Sequence, residues 1–244
     1  MKGAGSSRRS VLRQGLATGA AASIALPRIA RAEAKSLYVF VHTDVKSAAL
    51  ERALSASLKA LETTVFGKFR DLEDALAAKR PDALLAAQPV LAAQHIAISV
   101  EGMRDNKSWE RYVLLTTEDR PIDQLAGLTI GVVDMLGRDE TQKLLQNVLG
   151  ESGIKAKLVT KLEDLLSLLL FSAADGVLTG ASTVRLFQQR SRLPLRAREI
   201  SGSRLGLPAV GVLNAESRSI ITTAVAGLGA DVNRLLGVER WSIA

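Results

Sequence analysis

From Lys35 onward the chain alternates short β-rich apolar runs with stretches of helical periodicity. Leu37–Val41 (LYVFV) predicts a buried strand, and His42, Thr43 and Asp44 a turn, with Asp44 as a helix N-cap. Leu50, Leu54, Leu58 and Leu61 then recur at helical spacing. A strand near Thr63–Phe66, a short helix over Asp71–Lys79 and a strand at Asp82–Ala86 follow. Gln88 and Pro89 open another helix, since proline suits a first helical turn. His95–Val100 and Tyr112–Thr116 predict further strands.

The middle of the chain repeats this order. Pro121–Leu125 predicts a short helical turn, Leu128–Val133 a strand, and Thr141–Leu149 a helix. Lys155–Val159, Gly176–Leu178 and Arg196–Ile200 predict strands around helices at Leu162–Phe171 and Val184–Gln189. Ala209–Leu213 predicts a strand, and Ile221, Val225, Leu228, Val232 and Leu235 form one stripe on a closing helix. Strand–helix alternation over this length predicts an α/β fold of mainly parallel sheets with helices on both faces. The phrase occurs in two sets, so two similar lobes are expected. No solenoid period or low-complexity block interrupts it.

Charge changes the picture at one place. The chain of 244 residues carries +7 overall. Six of its 32 basic residues and none of its 25 acidic ones lie in Met1–Ala32, which leaves +1 for the rest. A basic start, the weakly apolar run Gly15–Leu26, Pro27 and the small pair Ala30 and Ala32 form the three-part layout of an export signal. Ser7-Arg8-Arg9-Ser10-Val11-Leu12 resembles the twin-arginine export motif, with Val11 where Phe is favoured. The apparent nucleic-acid signal is therefore an address, and no nucleic-acid partner is expected. Zero cysteines exclude disulfides, thiolate chemistry and a cysteine-linked lipid anchor. The expectation is a periplasmic protein, soluble after removal of residues 1–32.

Tyr112–Asp134 (YVLLTTEDRPIDQLAGLTIGVVD) resembles the entry into the second lobe of type 2 periplasmic solute-binding proteins. Leu162–Ala181, with Ala174-Asp175-Gly176, is similar to another segment of that family, and Asp82–Gln94 is similar to its phosphate/phosphonate-binding branch. The resemblance implies a discontinuous first lobe, residues 34–112 plus 202–244, and a second lobe, residues 113–201. Hinges are expected near Thr116–Glu118 and Ser201–Ser203, with a ligand cleft where loops at the carboxyl ends of the strands face one another.

Those loops supply His42, Thr43, Asp44, Ser47 and Gln88 from the first lobe, and Asp134, Arg138, Asp139, Thr141 and Thr179 from the second. Thr43, Ser47, Gln88, Arg138, Thr141 and Thr179 are the expected ligand-binding residues. Hydroxyls at helix N-termini suit anions, and Arg138 suits a carboxylate or phosphonate. Asp139 and Glu140 in a first helical turn oppose an anion, and ordinary helix-start chemistry accounts for them. The only histidines, His42 and His95, lie 53 positions apart without ligand-spaced carboxylates, so no metal or cofactor is expected. No activated nucleophile is in view, so no catalysis is expected. Arg185, Arg190, Arg192, Arg196 and Arg198 read as a solvated face or a docking surface. The expected function is capture of a small polar ligand, phosphonate- or phosphate-like at its narrowest, for an ABC transporter, with its permease or another periplasmic or membrane protein as the expected partner. The alternative is a periplasmic accessory or sensory subunit with a degenerate cleft.

Overall fold

A computed structural model of the chain describes residues 34–117 and 124–244. The expected signal segment, and most of the turn expected at Pro121–Leu125, lie outside them. Among the described residues, no helix is long and apolar enough to cross a membrane.

Strands β1 (Lys35–Phe40), β2 (Leu61–Val65), β3 (Ala83–Ala87) and β4 (Val100–Met103) join β10 (Pro208–Val212) and β11 (Arg240–Ile243) in a six-stranded sheet, ordered β11-β4-β10-β3-β1-β2. Strands β5 (Trp109–Thr117), β6 (Thr129–Val133), β7 (Lys155–Val159), β8 (Gly176–Gly180) and β9 (Leu195–Gly206) form a second sheet, ordered β7-β6-β8-β5-β9. Helices α1 (Ser47–Ser57), α2 (Phe69–Ala78), α3 (Gln88–Ala93), α7 (Arg218–Ala226) and α8 (Ala230–Leu235) belong to the first lobe. Helices α4 (Arg138–Leu149), α5 (Leu162–Leu170) and α6 (Ala181–Arg190) belong to the second. The molecule is thus a two-lobed α/β fold with flanked sheets. Parallel pairing holds in the strand–helix units, β1 with β2 and β3, and β6 with β7 and β8. The antiparallel pairs come from strands that return or cross: β10 on β3 and β4, β11 on β4, and β5 on β8 and β9.

Each sheet separates two apolar layers, because successive strand residues face opposite sides. Leu37, Val39 and Leu85 enter a core with Leu50, Leu54, Ile221 and Trp241, while Phe40 and Leu84 enter another with Phe69 and Leu72. Along β5, Tyr112 and Leu114 face the layer of Ile130 and Leu145, whereas Val113 and Leu115 face that of Leu165 and Phe187.

Four local expectations need correction. Leu61 opens β2 rather than ending α1, which stops at Ser57. His95–Ser99 is a loop, because His95 adopts φ 54°, a left-handed turn incompatible with a strand. Its Ile96 N–H bonds back to the Leu91 carbonyl at the end of α3. The closing helix is broken in two between Ala226 and Ala230, where Gly227 and Gly229 stand, although Ile221, Val225, Leu228 and Val232 still share one buried stripe. Asp44 is not the N-cap of α1; Lys46 holds that position without a side-chain bond.

Candidate functional site

Between the sheets lies a cleft of about 280 Å³, close to the lower end of ordinary ligand pockets. The first lobe contributes the loop after β1 (His42, Thr43, Asp44), Arg104 after β4, and the segment around α8. The second sheet and its loops contribute Glu110 and Tyr112 of the crossing strand β5, Thr179 and Gly180 of β8, the start of α6, and Val132, Val133 and Met135 around the end of β6. The walls are largely aliphatic.

Glu110 organises the polar floor. Its carboxylate accepts from Arg104 at 3.2 Å and from the backbone and hydroxyl of Ser182 at 2.8 and 3.2 Å. Both ionic side chains are mostly shielded from water. Arg104 also donates to the Gly237 carbonyl, in a turn where φ is +72°. Gly180 is needed for close approach: a Cβ there would collide with the Glu110 carboxylate.

Two cleft-lining side chains carry buried polar atoms without a hydrogen-bond partner, Tyr112 Oη and His42 Nε2. Burial, helped by the neighbouring Glu110 charge, pushes the Tyr112 phenol up to about 12. Burial lowers His42 to about 4, so its imidazole is neutral at neutral pH. The His42 ring stands edge-on to Phe40 with centroids 4.7 Å apart, which fixes its plane.

Thr43 and Thr179 line this cleft. Thr43 and Ser47 line an adjoining groove of about 270 Å³, with α1 and α2 on one side and the start of α5 on the other. Gln88, Arg138 and Thr141 line neither. Gln88 donates to the Ser108 carbonyl at 3.1 Å and packs on Gly206, tying α3 to the start of β5 and the end of β9. Arg138 is exposed at the start of α4. Thr141 is fully buried; its hydroxyl donates to Asp134 and accepts from the Leu136 N–H, both at 3.0 Å, which locks the β6–α4 loop. Asp44, expected as a cap, instead pairs across the mouth of the cleft with Arg190 of α6 at 2.9 Å.

Sequence reasoning passed over Arg104, Glu110 and Tyr112. A signal existed: Glu110 and Tyr112 stand two apart on one strand, placing a carboxylate and a phenol beside a run of buried aliphatics. Among the described residues, no group of three or more His, Asp or Glu side chains is placed to hold a metal ion.

No family model matches the chain, and no curated protein sequence matches it. Solved structures do. The chain is similar to the substrate-binding protein of an amino acid ABC transporter, with TM-score 0.50 and 17% identity over 83% of this chain and 92% of the other. It is also similar to the VFT2 domain of Bordetella pertussis BvgS, with TM-score 0.57 and 16% identity over 85% and 94% of the two chains. A third likeness is the GluR0 ligand-binding core in complex with L-glutamate, with TM-score 0.55 and 18% identity over 85% and 100%. At such identities these likenesses establish a shared fold, the two-lobed architecture of solute-binding domains.

Proposed function

We propose that the chain is a periplasmic solute-binding protein that captures a small molecule between its lobes and presents it to an ABC transporter. The observation that carries this reading is the interlobe cleft, lined by two residues, Tyr112 and His42, whose buried polar atoms have no hydrogen-bond partner. Leaving such atoms unmade costs about 1–3 kcal/mol each, a penalty that a bound solute would remove. The likeness to binding domains, one of them from an amino acid transporter, supports it. Export through Met1–Ala32, by the twin-arginine route that Arg8 and Arg9 suggest, would place the protein where such capture occurs.

The lobes are assigned as residues 34–112 plus 202–244, and residues 113–201. The crossing segments Trp109–Arg111 and Arg204–Gly206 pair with one another, and the register shifts between Arg111 and Val113, which suits a hinge there rather than near Thr116–Glu118 and Ser201–Ser203, because Thr116 and Ser201–Ser203 lie inside β5 and β9. Of the residues expected to bind, Thr43, Thr179 and Ser47 are assigned to the cleft and its groove. A phosphate- or phosphonate-like ligand, the narrower expectation, would have to draw Arg104 away from Glu110.

Thermal unfolding of the mature protein against amino acids, phosphonates and uncharged small molecules tests the reading. A true ligand at a hundred times its dissociation constant adds about 2.7 kcal/mol of stability. No shift with any compound, together with no small molecule co-purifying from the periplasm, would rule out capture. A second reading, an accessory or sensory subunit, is favoured by one observation: the lobes already touch, through the Asp44–Arg190 pair and through Met135 and Leu136 packed with Phe69. A stoichiometric protein partner recovered from periplasm, with the cleft empty, would select it.

A further inference from the structure

The charges around the cleft are matched within the protein. Arg104 is held by Glu110 and the Gly237 carbonyl, and Glu110 is further held by both donors of Ser182. Asp44 is paired with Arg190, and Arg234 with Asp231. Burial keeps His42 neutral. A zwitterion or an anion could reach Arg234 only where water screens it, and would have to break the shielded Arg104–Glu110 pair to reach a counter-charge at the floor of the cleft. Separating a shielded pair leaves an uncompensated buried charge, which is strongly unfavourable.

What the cleft does offer is aliphatic surface, from Val132, Met135, Leu162, Leu178, Leu186 and Leu235, and two lining residues, Tyr112 and His42. Their unpartnered polar atoms are covered and become available only as a guest displaces what covers them. A phenol hydroxyl both donates and accepts, and a neutral imidazole nitrogen does one or the other. Both suit a hydroxyl, carbonyl or amide. Resting on the solute-binding reading, we infer that the cleft takes an uncharged solute with a compact apolar body and one hydrogen-bonding group, received by Tyr112 Oη and His42 Nε2.

The test uses the mature protein at pH 7 and calorimetric titration with three uncharged probes, isocaproamide, cyclohexanol and 2-pyrrolidinone. L-leucine and methylphosphonate serve as charged counterparts. At least one uncharged probe binds, neither charged compound does, and Tyr112→Phe weakens that probe tenfold or more. The same substitution raises the melting temperature of the ligand-free protein, because it removes a buried hydroxyl that has no partner. A residue with a merely structural role would not combine those two effects. Binding of L-leucine or methylphosphonate in place of the uncharged probes would overturn the inference while leaving solute capture standing. Binding of none of the five would also overturn it, and native mass spectrometry of protein from periplasm then decides capture separately, by whether a small molecule co-purifies. If Tyr112→Phe folds poorly, Thr179→Val takes its place, with the same weakening expected from a hydroxyl on the cleft wall.

Discussion

Asp82 shows how one side chain can tie distant parts of a lobe. It accepts from the Ser36 backbone at 2.8 Å, the Ser36 hydroxyl at 3.2 Å, and Asn214 and Ser217 at 2.7 Å each. Desolvation pushes its pKa up, but the hydrogen bonds from Ser217, Ser36 and Asn214 outweigh it and hold the carboxyl at about 2, below the ordinary 3.8. The folded state therefore binds this proton less readily than the unfolded chain. Its contribution, about 2 kcal/mol, is fully present above about pH 4 and is lost as pH falls toward 2. Urea unfolding of the wild type and Asp82→Asn should differ by that amount at pH 7, and the difference should shrink steadily below about pH 4 and vanish only below about pH 2. Thr141 makes a similar point about the β6–α4 loop. Thr141→Val leaves the half-buried Leu136 N–H without its acceptor and Asp134 without its donor, and should cost about 1–3 kcal/mol in urea unfolding. Arg138→Ala, on an exposed side chain three residues earlier, should stay within about 0.5 kcal/mol.

At the scale of elements, the two lobes use one device twice. Asp82 precedes β3 and bonds reciprocally with Ser36 at the start of β1; Asp175 precedes β8 and bonds reciprocally with Thr129 at the start of β6. The separation is 46 residues in both. Each aspartate thereby sets the register of the first strand against the third. Asp175→Ala should raise amide hydrogen exchange along β6 and β8 while leaving β1 and β3 protected, and Asp82→Ala should do the reverse. Exchange spreading through both sheets would show that the lobes do not open separately. Much of this framework was legible in the chain, since the apolar runs of β1, β5 and β6 and the leucine spacing of α1 are local patterns. The breaks were not: the left-handed turn at His95 and the glycines between α7 and α8 interrupt apolar periodicity that tertiary packing then restores. The cleft was half legible. Loops after strands pointed to Thr43 and Thr179, but the Arg104–Glu110 pair, six residues apart around the turn bridged by Arg104 and Lys107, takes its place only through Ser182 and Gly237, which come from distant parts of the chain and which no local pattern encodes.

At the scale of the whole molecule, the question is what holds the lobes together. Beside the Arg104–Glu110 pair at the floor of the cleft, two further contacts between the lobes differ in strength. Asp44 and Arg190 are each more than 40% exposed, and a surface pair of this kind contributes about 0–1 kcal/mol and is screened by salt. Met135, with only 8% of its surface exposed, and the half-buried Leu136 enter the first lobe's layer beside Phe69 and Leu72. Removing apolar surface of this kind from water gives about 25 cal/mol per Å², without salt sensitivity. The apolar contact should therefore dominate the closed form. The chain has no cysteine, so spin labels can be placed at Asp71→Cys on α2 and Glu163→Cys on α5, which face one another across the groove. In the ligand-free protein, Arg190→Ala should shift the label distance distribution little, and raising the salt concentration should do no more. Met135→Ser combined with Leu136→Ser should move most of the population to longer distances. If Arg190→Ala alone opened the groove, the ion pair would be the clamp, and closure would then follow ionic strength.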